Sequence, residues 1–173
     1  IWRAGAGAVP LDAALPAGRR ALMVDVATVR HGIVVGDLDE IDGVSGPSIR
    51  LGRMGAIDPP AERSPLDPQA LRAGGRPPEN DRAYLMFTSG TTGRPKGVIG
   101  THQGLSQLIS WQRSRIGVRP GDIVAGIASV SFDVSLREVF LPLTSGAMLA
   151  IAPETVAVDR GLEWLIASQA TIV

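Results

Sequence analysis

The 173-residue sequence contains no cysteine, which removes disulfides, thiolate nucleophiles and cysteine-ligated zinc and fits a reducing compartment. Neither sign of charge is in excess, since 17 basic side chains balance 17 acidic ones. A neutral chain has no general attraction for nucleic acid or an anionic membrane, and neither is expected as a partner. No apolar run of about eighteen residues could span a bilayer, and no charged-then-apolar leader opens the chain, so the expected location is the cytoplasm. Histidine is scarce: His31 and His102 lie too far apart to suggest a metal site by spacing, and structural or surface roles are expected for both. Lysine is scarcer still, with Lys96 alone against sixteen arginines.

What is present is ordinary globular material. An apolar content of 45% in 173 residues suffices for one domain with a core. The chain opens "IWRAGAGAVPLD" without an initiating Met and stops at "QATIV", which looks like the first half of a strand; both ends are therefore expected to be cuts. No internal repeat is visible.

Along the chain, strand and helix patterns alternate. "GIVVGD" (residues 32–37) predicts a short buried strand and "PSIRLGRM" (47–54) a weaker one. Proline and glycine then become dense, so residues 56–81 are expected to be a long surface connection. "AYLMF" (83–87) predicts a strand that runs into a glycine and hydroxyl segment. A helix follows in "THQGLSQLISWQRSRIG", with Thr101 as N-cap, Leu105, Leu108, Ile109 and Ile116 on one face, and Gly117 as its stop. "DIVAGIASVSF" predicts a strand, "SLREVFLPL" a helix, "AMLAIA" a strand, and "RGLEWLIASQ" a helix with Leu162, Leu165 and Ile166 on one face. Trp111 and Trp164 fall within these helices, so core packing is expected. The alternation argues for an α/β fold with helices packed on a parallel or mixed sheet.

The segment after the strand, "TSGTTGRPKG" (88–97), holds the single lysine. In open α/β sheets ligands sit beyond strand ends, and glycines there let backbone N–H groups approach phosphate closely. Thr88, Ser89, Thr91 and Thr92 add hydroxyl donors, Gly90 and Gly93 add freedom, and Lys96 adds a compact, mobile positive charge that arginine's planar fork would not match. The spacing is not that of the P-loop, because Lys96 follows Pro95 and precedes Gly97. On composition alone a flexible connector remains the alternative.

"YLMFTSGTTGRPKGV" resembles the phosphate-binding signature of the adenylate-forming superfamily, which includes the adenylation domains of nonribosomal peptide synthetases, acyl-CoA synthetases and luciferases. "AGAGAVPLDAALPAGRR" (4–20) resembles a segment of the peptide-synthetase members, with Ala8, Ala13 and Leu15 in place of the usual Tyr, Pro and Tyr. "FDVSLREVFLPLTSGAMLAI" (132–151) resembles their Phe-Asp-x-Ser segment. The three stretches keep the family's order. The resemblance implies an incomplete N-terminal subdomain of the adenylate-forming fold: residues 1–173 are expected to be a partial large subdomain, truncated at both ends and without the small C-terminal lid, in a domain roughly three times this length.

The resemblance further implies activation of an amino acid by MgATP to an aminoacyl adenylate and pyrophosphate, then transfer to the phosphopantetheine thiol of a peptidyl carrier domain. Thr88, Ser89, Gly90, Thr91, Thr92, Gly93 and Lys96 would steady the ATP phosphates, and Asp133 would pair with the substrate α-ammonium. For Asp133 the alternative is an N-cap role, although "SLRE" offers a capping box of its own with Ser135 as cap and Glu138 three residues on. Val134 and Arg137 would line the same pocket, the arginine favouring a polar or acidic substrate side chain; the alternative is a solvated helix face. No catalytic residue and no magnesium ligand is expected within these residues, and the segment by itself is expected to be inactive. A fragment of an acyl-CoA or aryl-acid ligase, or a non-catalytic remnant, are the alternatives to this reading.

Overall fold

Residues 1–35, 41, 43–46, 48–51, 57–58, 78, 80–88, 94–153 and 161–173 are described by the computed structural model of the chain. It divides into two units, Ile1–His102 and Gln103–Val173.

The first unit opens with a single 3-10 turn, Trp2–Ala4, which Gly5 ends at φ 72°. Beyond it Ala8 pairs by its backbone with the strand β4, Arg82–Thr88. The Ala8 N–H donates to Ala83 O at 2.9 Å, and the Leu85 N–H donates to Ala8 O at 2.8 Å. The Trp2 indole Nε1 donates to the same Ala83 oxygen at 2.6 Å. Asp12 Oδ1 accepts the Ala14 N–H at 2.9 Å, and Arg20 Nη1 donates to the carbonyls of Ala13, at 2.9 Å, and Leu15. The residues that depart from the family pattern are thus held through main-chain atoms, which an alanine supplies as well as a tyrosine.

Helix α1, Ala17–Ala27, begins after Pro16 and ends at Thr28 in the left-handed region, φ 50°. It was not expected from the sequence, where Gly18 and the adjacent Pro16 blur the pattern; Met23 and Val24 are its buried residues. Strand β1, Gly32–Val35, runs parallel to β2, Ser48–Leu51, and β2 is antiparallel to β3, Ile57–Asp58. The expected connection over 56–81 therefore contributes a strand; its residues 56, 59–77 and 79 lie outside the described residues, as do 36–37, 47 and 52–54 of the two expected strands. β1 is buried on one face only, with Val34 inside and Ile33 and Val35 exposed.

Strand β4 matches expectation, and it is followed by one that was not expected: β5, Lys96–Thr101, antiparallel to it. Two glycines in six residues weaken its strand signal. Gly100 lies opposite Tyr84, and a Cβ there would meet the tyrosine ring where it now lies, so an alanine would require the ring to swing aside. Helix α2, His102–Ile116, starts directly after β5, and its first N–H donates to Asp81 O at 3.1 Å. The His102 ring meets Trp2 edge-on at 5.2 Å, a structural contact of the expected kind.

In the second unit, α2 buries Leu105 and Ile109. Leu108, Ile116 and Trp111 are exposed, the tryptophan by 58%, so the expected four-residue face is narrower and Trp111 is not a core residue. Strand β6, Ile123–Gly126, runs parallel to β7, Met148–Ile151. Between them lies α3, Val134–Ser145, which Gly146 ends at φ 71°. Val118, Val124 and Leu141 form a small core, with Ala147 and Ile172 against it. The terminal "QATIV" pairs as expected: Ile172 bridges Val124 in parallel, and Ala125 N–H donates to Ile172 O at 2.9 Å. The strand expected over 122–132 stops at Gly126. In the last helix, α4, Gly161–Ala167, Leu162 and Ile166 are 70% and 71% exposed and Trp164 is half-buried, so the expected face is not covered. Parallel and antiparallel pairing together give the mixed α/β architecture expected.

Candidate functional site

The glycine and hydroxyl loop is the connection of an antiparallel pair. Thr88, the last residue of β4, stands directly opposite Lys96, the first of β5, and directly opposed residues carry their side chains on one face of the ladder. The hydroxyl and the ammonium therefore project from the same face at the mouth of the loop. Both side chains are exposed, and Thr88 Oγ1 lies 3.5 Å from Lys96 O. Between them Arg94 is exposed and Pro95 buried, whereas Ser89, Gly90, Thr91, Thr92 and Gly93 lie outside the described residues. The expected order of strand, loop and helix is corrected here: a second strand intervenes, because pairing with β4 satisfies the backbone of residues 96–101 before α2 begins.

The other candidate residues sit in the second unit, at the start of α3. Asp133 occupies the N-cap position at φ −62° and ψ −27°, with no side-chain capping bond, and its carboxylate is exposed. Val134 is exposed as well, and Arg137, one turn on, places Nη2 4.0 Å from Glu138 Oε1. Positions 133 and 137, and 134 and 137, are one helical turn apart, so the three residues lie near one another at the start of α3.

The expected capping box does not form. Ser135 is already inside the helix, and its Oγ donates to Phe132 O at 2.6 Å and to Val130 O at 3.3 Å. Glu138 is buried, 4% exposed, and its Oε2 accepts the N–H groups of Ile127 at 3.0 Å and Ala128 at 2.9 Å. A buried carboxylate must find donors, and the two amides just past the end of β6 supply them. Asp133 is consequently at the cap position, not beyond it, yet its side chain is free of the capping task. From the sequence Glu138 is only the partner of a capping box; its burial and its bonds to the amides of Ile127 and Ala128 replace that role.

Among the described residues no group of three or more His, Cys, Asp or Glu side chains could hold a metal ion. No helix among them is long and apolar enough to cross a membrane.

A family model described as AMP-binding enzyme matches residues 1–173. The chain is 34% identical over 170 residues to malpinin synthetase of Mortierella alpina, covering 95% of this chain and 2% of that protein. It is 31% identical over 172 residues to a Streptomyces coelicolor ligase whose name pairs L-proline with an L-prolyl-carrier protein, covering 90% of this chain and 32% of that one. Among solved structures, the N-terminal subdomain of Klebsiella oxytoca NpsA superposes with a TM-score of 0.71 at 24% identity, covering 97% of this chain and 41% of the other. The fold is therefore shared with that subdomain, and this chain spans well under half the length of each of these relatives.

Proposed function

Because this chain belongs to the AMP-binding enzyme family, we propose that it is part of the large N-terminal subdomain of an amino acid-activating adenylation domain in a nonribosomal peptide synthetase, acting in the cytoplasm. A match along the whole chain supports this reading, and one observation carries it: Thr88 and Lys96 face each other at the mouth of the glycine and hydroxyl loop.

In the proposed reaction a carboxylate oxygen of the amino acid attacks the α-phosphorus of ATP. A new O–P bond forms, the bond to the β-phosphate oxygen breaks, and pyrophosphate leaves with the electron pair. The phosphopantetheine thiol of a carrier domain then loses its proton and attacks the acyl carbon; a thioester forms and the bond to AMP breaks. Magnesium bound to ATP would neutralise phosphate charge, with ligands from outside these residues. Thr88, Ser89, Thr91 and Thr92 would donate hydrogen bonds to phosphate oxygens, with Gly90 and Gly93 letting the backbone close in. Lys96 would offset the charge on the departing pyrophosphate. Asp133 would hold the α-ammonium, fixing the carboxylate for attack, while Val134 and Arg137 would meet the substrate side chain.

ATP–pyrophosphate exchange tests this in the full-length polypeptide that carries the segment, supplied in turn with each proteinogenic amino acid. Exchange with at least one of them is expected, and Lys96→Ala should raise the KM for ATP about tenfold or more, the worth of one charge-assisted hydrogen bond. The 173-residue chain alone should give none. Exchange by that isolated chain, or activation only of acids lacking an amino group, would overturn the reading.

A further inference from the structure

Glu138 has a task that the reaction above does not use. Its carboxylate, 4% exposed, is committed through Oε2 to the N–H groups of Ile127 and Ala128 at 3.0 and 2.9 Å. Those amides lie just past Gly126, the last residue of β6 to pair with β7, so no strand partner is there to take them. Near the other end of the same segment, the buried Ser135 donates to the carbonyls of Phe132 and Val130. Residues 127–132 are thereby tied near both ends by side chains of α3, and the next residue is Asp133.

We infer that Glu138 is a positioning residue for amino acid binding: by fixing the backbone of Ile127 and Ala128 it sets where the turn delivers Asp133. The inference rests on the reading of Asp133 as the partner of the α-ammonium. A binding carboxylate on a turn has to be held within a fraction of an ångström to matter, and a helix side chain anchored in the core is a stiffer support than the turn's own backbone. Arg137 Nη2 approaches the other oxygen of the same carboxylate at 4.0 Å.

The geometry separates acceptor from charge. Both amides bond one oxygen, so the amide oxygen of Glu138→Gln can accept them both. Glu138→Asp keeps the charge but is one methylene too short to reach. The test is ATP–pyrophosphate exchange by the full-length polypeptide, using the proteinogenic amino acid that gives the highest exchange and measuring KM for it and for ATP separately. E138D should raise the amino acid KM about tenfold to a hundredfold while the ATP KM stays within about twofold. E138Q should hold the amino acid KM within about threefold of the parent. The double variant D133N/E138D should be no worse than D133N alone, since a misplaced partner no longer matters once its charge is gone.

Equal rises in both KM values, a fall in Tm with no change in KM, or an E138Q as impaired as E138D would each overturn the inference. If E138D is not recovered folded, Glu138→Met, which fills the space without an acceptor, takes its place under the same outcomes. An effect of D133N without one of E138D refutes the positioning role alone; an amino acid KM unmoved by D133N refutes the reading of Asp133 beneath it.

Discussion

In the β4 and β5 hairpin the main chain does the holding, with Thr88 and Lys96 set opposite each other by a ladder that runs back to Arg82 and Thr101. In the turn before α3 the side chains do it, with Ser135 and Glu138 bonding the backbone of residues 127–132. The two arrangements spend sequence differently. A ladder asks little of side-chain identity beyond room, so the hairpin can expose Val98 and Ile99 and place a hydroxyl and an ammonium at its mouth. A side-chain clamp asks for particular atoms at particular reach, so one substitution removes it. Where backbone pairs with backbone, chemistry can be placed freely; where side chains hold the backbone, residues that touch no substrate become indispensable.

The contrast is broken most severely at the foundation of the clamp. Leu141, 1% exposed, packs with Val118 and Val124 in the core from which α3 extends. Leu141→Ala should cost about 2–5 kcal/mol in urea unfolding, and a loss below about 1 kcal/mol would mean that this cluster does not anchor the helix. The hairpin's demand for room is attacked by Gly100→Ala, whose methyl would meet the Tyr84 ring. Overpacking of this kind should cost about 1–3 kcal/mol, and Tyr84→Ala in the same chain should return part of it; no recovery would show that the ring is not the obstacle. Ser135→Ala removes the tie to Phe132 and should cost about 0.5–1.5 kcal/mol, read as a shift in the urea midpoint. Thr88→Val, in the stem held by main-chain pairing, should change stability by no more than about 0.5 kcal/mol. If Thr88→Val costs more than Ser135→Ala, the distinction between the two kinds of support fails.

Most of the regular elements were legible because their periodicity is clean: β4 from "AYLMF", β7 from "AMLAIA", and the helices around Leu105 and Leu141. β5 was not, since Gly97 and Gly100 carry no strand preference and only the register with β4 explains them. Exposure was harder still. Periodicity says which residues share a face, not whether anything covers it, and so Leu108, Trp111, Leu162 and Ile166 were misjudged. At the site, composition singled out the loop as a candidate, but the pairing of Thr88 with Lys96 depends on the unexpected strand. The Ser-x-x-Glu pattern misled because it is the same whether the serine stands at the cap or inside the first turn. Only burial shows that Glu138 has been drawn inward to a different set of amides.

Tyr84 is the single tyrosine of the chain, and its ring occupies the space where a side chain at position 100 would begin. The circulating electrons of that ring bear on the bare methylene of Gly100, whose proton resonances should differ from those of an unstacked glycine. The stem of the loop thus carries an isotope-addressable signal of its own, able to report in solution whether the strands stay zipped when ATP is added to the sample.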